Sequence, residues 1–256
     1  MAAKIKPTFL PSVFTSGNLF CGMLAIVYAI NGNAYRGAWF IVLAAFFDVT
    51  DGYVARLTGQ SSRFGVELDS LADVVSFVVA PMMLLYPLAL RQYAPFGIRS
   101  WLIGAVFAFL FVVAGTIRLA RFNVEIKSLT VKSDFRGLPT PAAGCLVAGY
   151  LIFCKYFGGE IPGQQYLPYL VTLLALLMIS GVEYPAVSTI AKRSLHSYVI
   201  YGLMVIVMIG AVIRREITIF PAMLLYVLLG PVGWGLHGVR KLTKAKDKRR
   251  DKGAES

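Results

Sequence analysis

Acid is scarce in this chain: 13 Asp and Glu stand against 25 Lys and Arg among 256 residues, and charged residues make up only 15%. So little charge excludes an ordinary soluble surface, since globular proteins carry about 25% charged residues. Cysteine is nearly absent as well. Cys21, Cys145 and Cys154 sit apart in apolar segments without CxxC spacing, which excludes a disulfide framework and a zinc ribbon and leaves small packing residues. His196 and His237 are isolated in the sequence, so they read as loop or interface residues. There is no Gly/Ser linker, internal repeat or composition shift to mark a second domain.

What fills the chain is apolar: 57% of residues are hydrophobic and the mean hydropathy is +0.69. Several runs approach the ~20 residues needed to cross a bilayer as a helix. The expected fold is therefore an all-α integral membrane protein of about eight transmembrane helices, with spans near 9–30, 34–57, 67–90, 98–122, 138–158, 166–187, 198–213 and 217–239. These form one membrane domain over 1–240, followed by a basic tail, 241–256, whose polar composition predicts disorder. Lys4 and Lys6 precede an apolar stretch as in a secretory signal. That stretch runs past signal length without an Ala-x-Ala cleavage pattern and more spans follow, which excludes a signal peptide.

Basic residues are distributed unevenly across this eight-span arrangement. The side carrying the termini receives 19 of the 25 Lys and Arg, and the positive-inside bias then places both ends in the cytoplasm, in the inner membrane. The net charge of +12 thus faces membrane lipids, and nucleic acid is not an expected partner.

Against this shortage of acid, the stretch from Asp48 to Asp73 holds four aspartates and one glutamate across the end of one span and the start of the next. Ionisable side chains at membrane depth face a cavity or a partner and mark function. Asp48 and Asp51 are three apart, and Asp69 and Asp73 four apart, so each pair lies on one helical face. Four converging carboxylates repel and need cations; hard oxygen ligands favour Mg²⁺ or Mn²⁺. Gly52 and Ala55 leave the helix surface open beside the acids, Gly65 relieves the turn, and Arg56 offers a fork suited to phosphate. A salt-bridge network with Arg56 and Arg63 is the plainer alternative, but four acids exceed two arginines. Glu67, off the acidic faces, reads as a solvated residue near the helix start.

The order Asp48-x-x-Asp51-Gly52-x-x-Ala55-Arg56, eight residues, Gly65-x-x-x-Asp69-x-x-x-Asp73 resembles the signature of the CDP-alcohol phosphotransferases without a departure. The resemblance implies a helical membrane bundle, a CDP-linked donor and two divalent metals held by Asp48, Asp51, Asp69 and Asp73. It also implies that Asp73 is the catalytic base and that the protein is a homodimer. The first span, with Ser12 and Thr15, resembles the segment associated with the nucleotide end of the donor. Ser12 stands where the family usually has Asn; its hydroxyl still donates and accepts.

Further segments resemble the phosphatidylserine synthases of this family: Arg118-Leu119-Ala120-Arg121-Phe122-Asn123, Phe135-Arg136-Gly137-Leu138-Pro139-Thr140-Pro141 and Met178-Ile179-Ser180 with Tyr184-Pro185. They imply CDP-diacylglycerol as donor and L-serine as acceptor. Arg118 and Arg121, three apart near a cytoplasmic helix end, are suited to the serine carboxylate, with Asn123 as a polar aid; as positive-inside anchors they need no substrate. Gly137, Pro139 and Pro141 shape the entry to the fifth span. Glycerol 3-phosphate or an inositol-type alcohol remain alternative acceptors, and an ion-coupled transporter is the alternative from another class.

Overall fold

The computed structural model describes residues 9–58, 63–90, 101–127, 137–158, 164–182, 184 and 216–231. Among them every regular element is helical. α1 (Phe9–Ile30) and α2 (Ala34–Thr58) form an antiparallel hairpin. Gly32, at φ +72°, makes the reversal, a conformation that suits a residue without Cβ. The Asn33 side chain then accepts the Arg36 N–H at 3.2 Å, an N-cap that starts α2.

A third rod follows in four pieces: α3 (Arg63–Asp73), a π-helical segment (Val74–Val79), α4 (Ala80–Leu85) and a second π-helical segment (Tyr86–Leu90). This rod is the centre of the bundle. A Cβ on Gly22 of α1 would stand 2.8 Å from Ser76 Cα, and one on Gly144 would stand 2.8 Å from the Phe77 carbonyl oxygen. Glycine therefore lets α1 and the α6 helix (Thr140–Tyr156) approach the rod at backbone distance, the usual way membrane helices pack without a hydrophobic driving force. α5 (Trp101–Lys127) and α7 (Leu167–Ile179) complete this group, with a 3₁₀ turn over Gln164–Tyr166 leading into α7. α8 (Glu216–Pro231) packs on α6 through Phe220, whose ring centroid lies 5.4 Å from both Tyr150 and Phe153.

Among the described residues four segments are long and apolar enough to cross a membrane: Val13–Ile30, Ala34–Ala55, Arg63–Leu88 and Trp101–Val124. α7 has 13 residues, about 20 Å of helix, which is short of the ~30 Å apolar core of a bilayer. The expected seventh span, 198–213, lies outside the described residues, as do the tail and both histidines. Three boundaries move. The sixth span, expected over 166–187, ends its helix at Ile179, where Ser180 turns extended at ψ 162°. The third rod starts at Arg63, so Asp69 and Asp73 sit well inside it. α5 continues to Lys127, so Arg118 and Arg121 lie within the helix, short of its end.

The chain direction gathers the chemistry at one end. The carboxyl-terminal half of α2, the start of α3, the last turns of α5, the start of α6 and the end of α7 all meet there. Gly137, at φ +85°, donates its N–H to the Val182 carbonyl at 2.8 Å, and Leu138 donates to Leu177 at 3.0 Å. At the opposite end, Tyr35 donates its hydroxyl to Glu216 at 2.7 Å, tying α2 to α8.

Candidate active site

Helical spacing brings three of the four expected aspartates into one group, and Asp51 is not in it. One carboxylate oxygen from each of Asp48, Asp69 and Asp73 lies within 4.8 Å of the other two. Asp51 and Asp73 are nearly enclosed, at 6% and 7% exposure. Asp51 accepts the Thr15 hydroxyl on Oδ2 at 2.5 Å, and its Oδ1, like Oδ1 of Asp69, is buried with no hydrogen-bond partner among the described residues. Asp73 accepts the Asn18 amide N–H at 3.1 Å. Asn18 is held in turn, because Ser76 donates its hydroxyl to the Asn18 carbonyl at 2.9 Å. Asp73 itself is the residue at which α-helix gives way to the first π-helical segment, and such insertions are frequent at functional sites.

Electrostatics decide what this arrangement needs. Two unit charges 4.8 Å apart repel by about 3.5 kcal/mol at an effective dielectric of ~20. Three such pairs sum to about 10 kcal/mol, comparable with the whole net stability of a typical domain. Among the described residues one cation, Arg118, is within electrostatic reach of Asp48 and Asp73, and one charge does not offset three. Buried carboxylate oxygens such as Oδ1 of Asp51 and of Asp69, which no donor among the described residues satisfies, fit a hard divalent cation. Asp48, Asp69 and Asp73 are placed to hold it, with the bare oxygen of Asp51 beside them.

The basic side of the site is on α5. Arg118 is only 7% exposed; its Nη1 donates to the Thr140 hydroxyl at 3.1 Å, and its Nε is buried without a partner among the described residues. Tyr226 of α8 is also within electrostatic reach of Arg118. Arg121 points elsewhere, donating from Nη1 to the Ile179 carbonyl at 3.3 Å. Asn123 turns toward α3: its Nδ2 lies 2.9 Å from the Ser70 hydroxyl and donates to Glu67 at 3.2 Å. At 100° per residue, Asn123 lies about 140° around α5 from Arg118, so the three residues expected to bind one small substrate do not share a face. Glu67 is exposed, as expected, yet it is engaged with Asn123.

Gly52 is exposed, and Ala55 and Gly65 are half-buried near the acids. Ser12 and Arg56 belong to α1 and α2, but their side chains lie outside the described residues. Sequence reasoning assigned no role in the site to Asn18, Ser70, Thr140 or Tyr226. A signal existed for Asn18: an amide in the middle of an apolar 22-residue helix requires a polar partner inside the bundle.

A family model described as CDP-alcohol phosphatidyltransferase matches residues 8–180, which contain the whole acidic cluster. The chain belongs to that family. Members of the CDP-alcohol phosphatidyltransferase family depend on metal, and the cluster of Asp48, Asp69 and Asp73 is compatible with metal binding. Among curated relatives, the CDP-diacylglycerol–serine O-phosphatidyltransferase of Helicobacter pylori strain 26695 is 34% identical over 233 residues, covering 90% of this chain and 93% of that protein. The enzyme of the same name from Bacillus subtilis is 36% identical over 194 residues, 74% of this chain and 97% of its own. An archaetidylserine synthase from Methanothermobacter thermautotrophicus is 34% identical over 180 residues, 70% of each chain. α8 lies beyond the part that the family model covers.

Proposed function

We propose that the protein transfers the phosphatidyl group of CDP-diacylglycerol to the hydroxyl of L-serine, forming phosphatidylserine and releasing CMP. The observation that carries this reading is the convergence of Asp48, Asp69 and Asp73 in a chain whose relatives with 90% and 74% coverage are named for that reaction. Two divalent cations, Mg²⁺ or Mn²⁺, held by Asp48, Asp51, Asp69 and Asp73, neutralise pyrophosphate charge when bound.

The protein's own residues do the rest. One oxygen of Asp73 is occupied by Asn18, and the other takes the serine hydroxyl proton. The serine oxygen forms a bond to the phosphorus that carries diacylglycerol, the bond from that phosphorus to the oxygen bridging to CMP breaks, and CMP leaves with the electron pair. Gly52, Ala55 and Gly65 let the pyrophosphate come close to the backbone, and Arg56 pairs with it. Ser12 and Thr15 of α1 serve the nucleotide end of the donor. Arg118, a buried cation with a spare N–H beside the acids, receives the serine carboxylate. Arg121, on the Ile179 carbonyl, and Asn123, on Glu67 and Ser70, are turned away from that position, so Arg118 alone carries this role.

The residues 1–240 form one membrane domain of eight crossings, which works as a homodimer in the cytoplasmic membrane. The site and both ends face the cytoplasm, in line with the placing of 19 of the 25 basic residues on that side, and 241–256 is a basic tail. The test is transfer of labelled L-serine into extractable lipid by purified protein in CDP-diacylglycerol mixed micelles. Label in lipid, matched by CMP and stopped by EDTA, is the expected result; no labelled lipid overturns the reading.

A further inference from the structure

We propose that Asn18 is a positioning and specificity residue: its amide nitrogen holds Asp73, and its amide oxygen receives the ammonium group of the acceptor. This inference rests on the serine reading above and names the part of the site that recognises the amine.

Asn18 is completely buried. Its Nδ2 lies 3.1 Å from Asp73 Oδ1. An ionised carboxylate only accepts hydrogen bonds, so the amide is oriented with its nitrogen on Asp73 and its oxygen turned away. That oxygen is buried and has no partner among the described residues. Leaving such an acceptor unpaired is costly, and its surroundings hold it in place. The Asn18 carbonyl is pinned by Ser76, and the backbone approach at Gly22 leaves no room for α1 to move inward. One turn earlier, Thr15 is committed to Asp51. The result is a rigid, unsatisfied acceptor beside the catalytic base.

The chemistry of the acceptor identifies what fills it. With the serine hydroxyl on Asp73, the groups within reach are those on the adjoining carbon, an ammonium and a carboxylate. The carboxylate has no hydrogen to donate, whereas the ammonium has three donors and no acceptor. An amide oxygen matches the ammonium alone. The carboxylate is left for a cation, which Arg118 supplies.

Two variants separate the two roles. Asn18→Ala removes both contacts; Asn18→Asp keeps an oxygen but loses the N–H that holds Asp73. Each is purified in detergent, checked for a monodisperse folded state, and assayed with L-serine and with 3-hydroxypropanoate, which has the hydroxyl and carboxylate but hydrogen in place of the amine. A hydrogen bond from a charged donor is worth about 10-fold or more in discrimination. The expected result is that Asn18→Ala lowers the kcat/KM preference for serine over 3-hydroxypropanoate at least 10-fold and lowers kcat. Asn18→Asp lowers kcat but keeps the preference within about threefold. An unchanged preference in Asn18→Ala, with KM for CDP-diacylglycerol raised instead, assigns the oxygen to the nucleotide and overturns the proposal. Equal loss of preference in both variants also overturns it. Wild-type protein that does not use serine at all refutes the serine reading itself, a separate and visible failure.

Discussion

Asp69→Asn changes one of three clustered charges without changing side-chain shape, and its effect on stability should reverse sign with metal. In the wild-type protein one oxygen from each of Asp48, Asp69 and Asp73 falls within 4.8 Å of the others. At about 3.5 kcal/mol per pair, the substitution removes two of the three repulsions. Screening and relaxation reduce that sum; if about 2 kcal/mol survives, the unfolding midpoint of a chain this size rises by about 4–8 °C. In EDTA, Asp69→Asn should therefore melt above wild type. With Mg²⁺ at ~100 times its Kd, wild type gains about 2.7 kcal/mol from binding, and the variant, short of a ligand, gains less. The order of the two midpoints should then invert. The assay is thermal unfolding in detergent followed by intrinsic fluorescence, for which the chain supplies 3 Trp and 13 Tyr. A variant that melts below wild type by the same margin with and without metal would refute the reasoning, because it would show that the cluster is neither repulsive when empty nor relieved by a cation.

Other outcomes follow from the same geometry. Asp73→Asn should lower kcat by at least 100-fold while KM for CDP-diacylglycerol stays within a fewfold, measured by initial rates of CMP release; full turnover would remove Asp73 as the base. Arg118→Gln should raise KM for serine by 10-fold or more with little change in donor KM, since it removes the buried cation beside Asp48 and Asp73; a change confined to the donor would reassign Arg118 to phosphate. Asn123→Ala should raise KM for serine modestly, by about threefold to tenfold, and Glu67→Gln less, because the pair braces α3 against α5. Gly22→Leu should prevent isolation of a folded protein, as its Cβ alone would meet Ser76 at under van der Waals distance; a monodisperse, active variant would contradict the packing described for α1.

Much of the site was legible because charge in an apolar sequence is conspicuous. Asp48 with Asp51, three apart, and Asp69 with Asp73, four apart, stand out in the sequence as pairs on helix faces, and the structure brings Asp48, Asp69 and Asp73 of these together. The first two spans were legible for the same reason, as uninterrupted apolar runs ended by Asn31-Gly32 and by the acids. The start of the third rod was not, since Arg63 to Asp69 alternates polar and apolar residues and carries no apolar run, though it is helical. Nor were the π-helical segments, which leave no trace in hydropathy. Neutral polar residues were the main omission: Asn18, Ser70 and Thr140 look like ordinary packing positions until their partners across 55, 53 and 22 residues are seen. The direction of Arg121 and Asn123 was likewise hidden. Their proximity in sequence suggested one site, whereas helical rotation sends one to the end of α7 and the other to α3.

The central claim is tested most directly by CMP release from CDP-diacylglycerol with serine, glycerol 3-phosphate and inositol offered separately, each with Mg²⁺ or Mn²⁺ and with EDTA. The account predicts release that requires both serine and metal. Release with glycerol 3-phosphate or inositol in place of serine would keep the aspartate chemistry and contradict the assignment of Arg118 and the oxygen of Asn18 to the acceptor. No release with any of the three would contradict the serine transfer reaction itself.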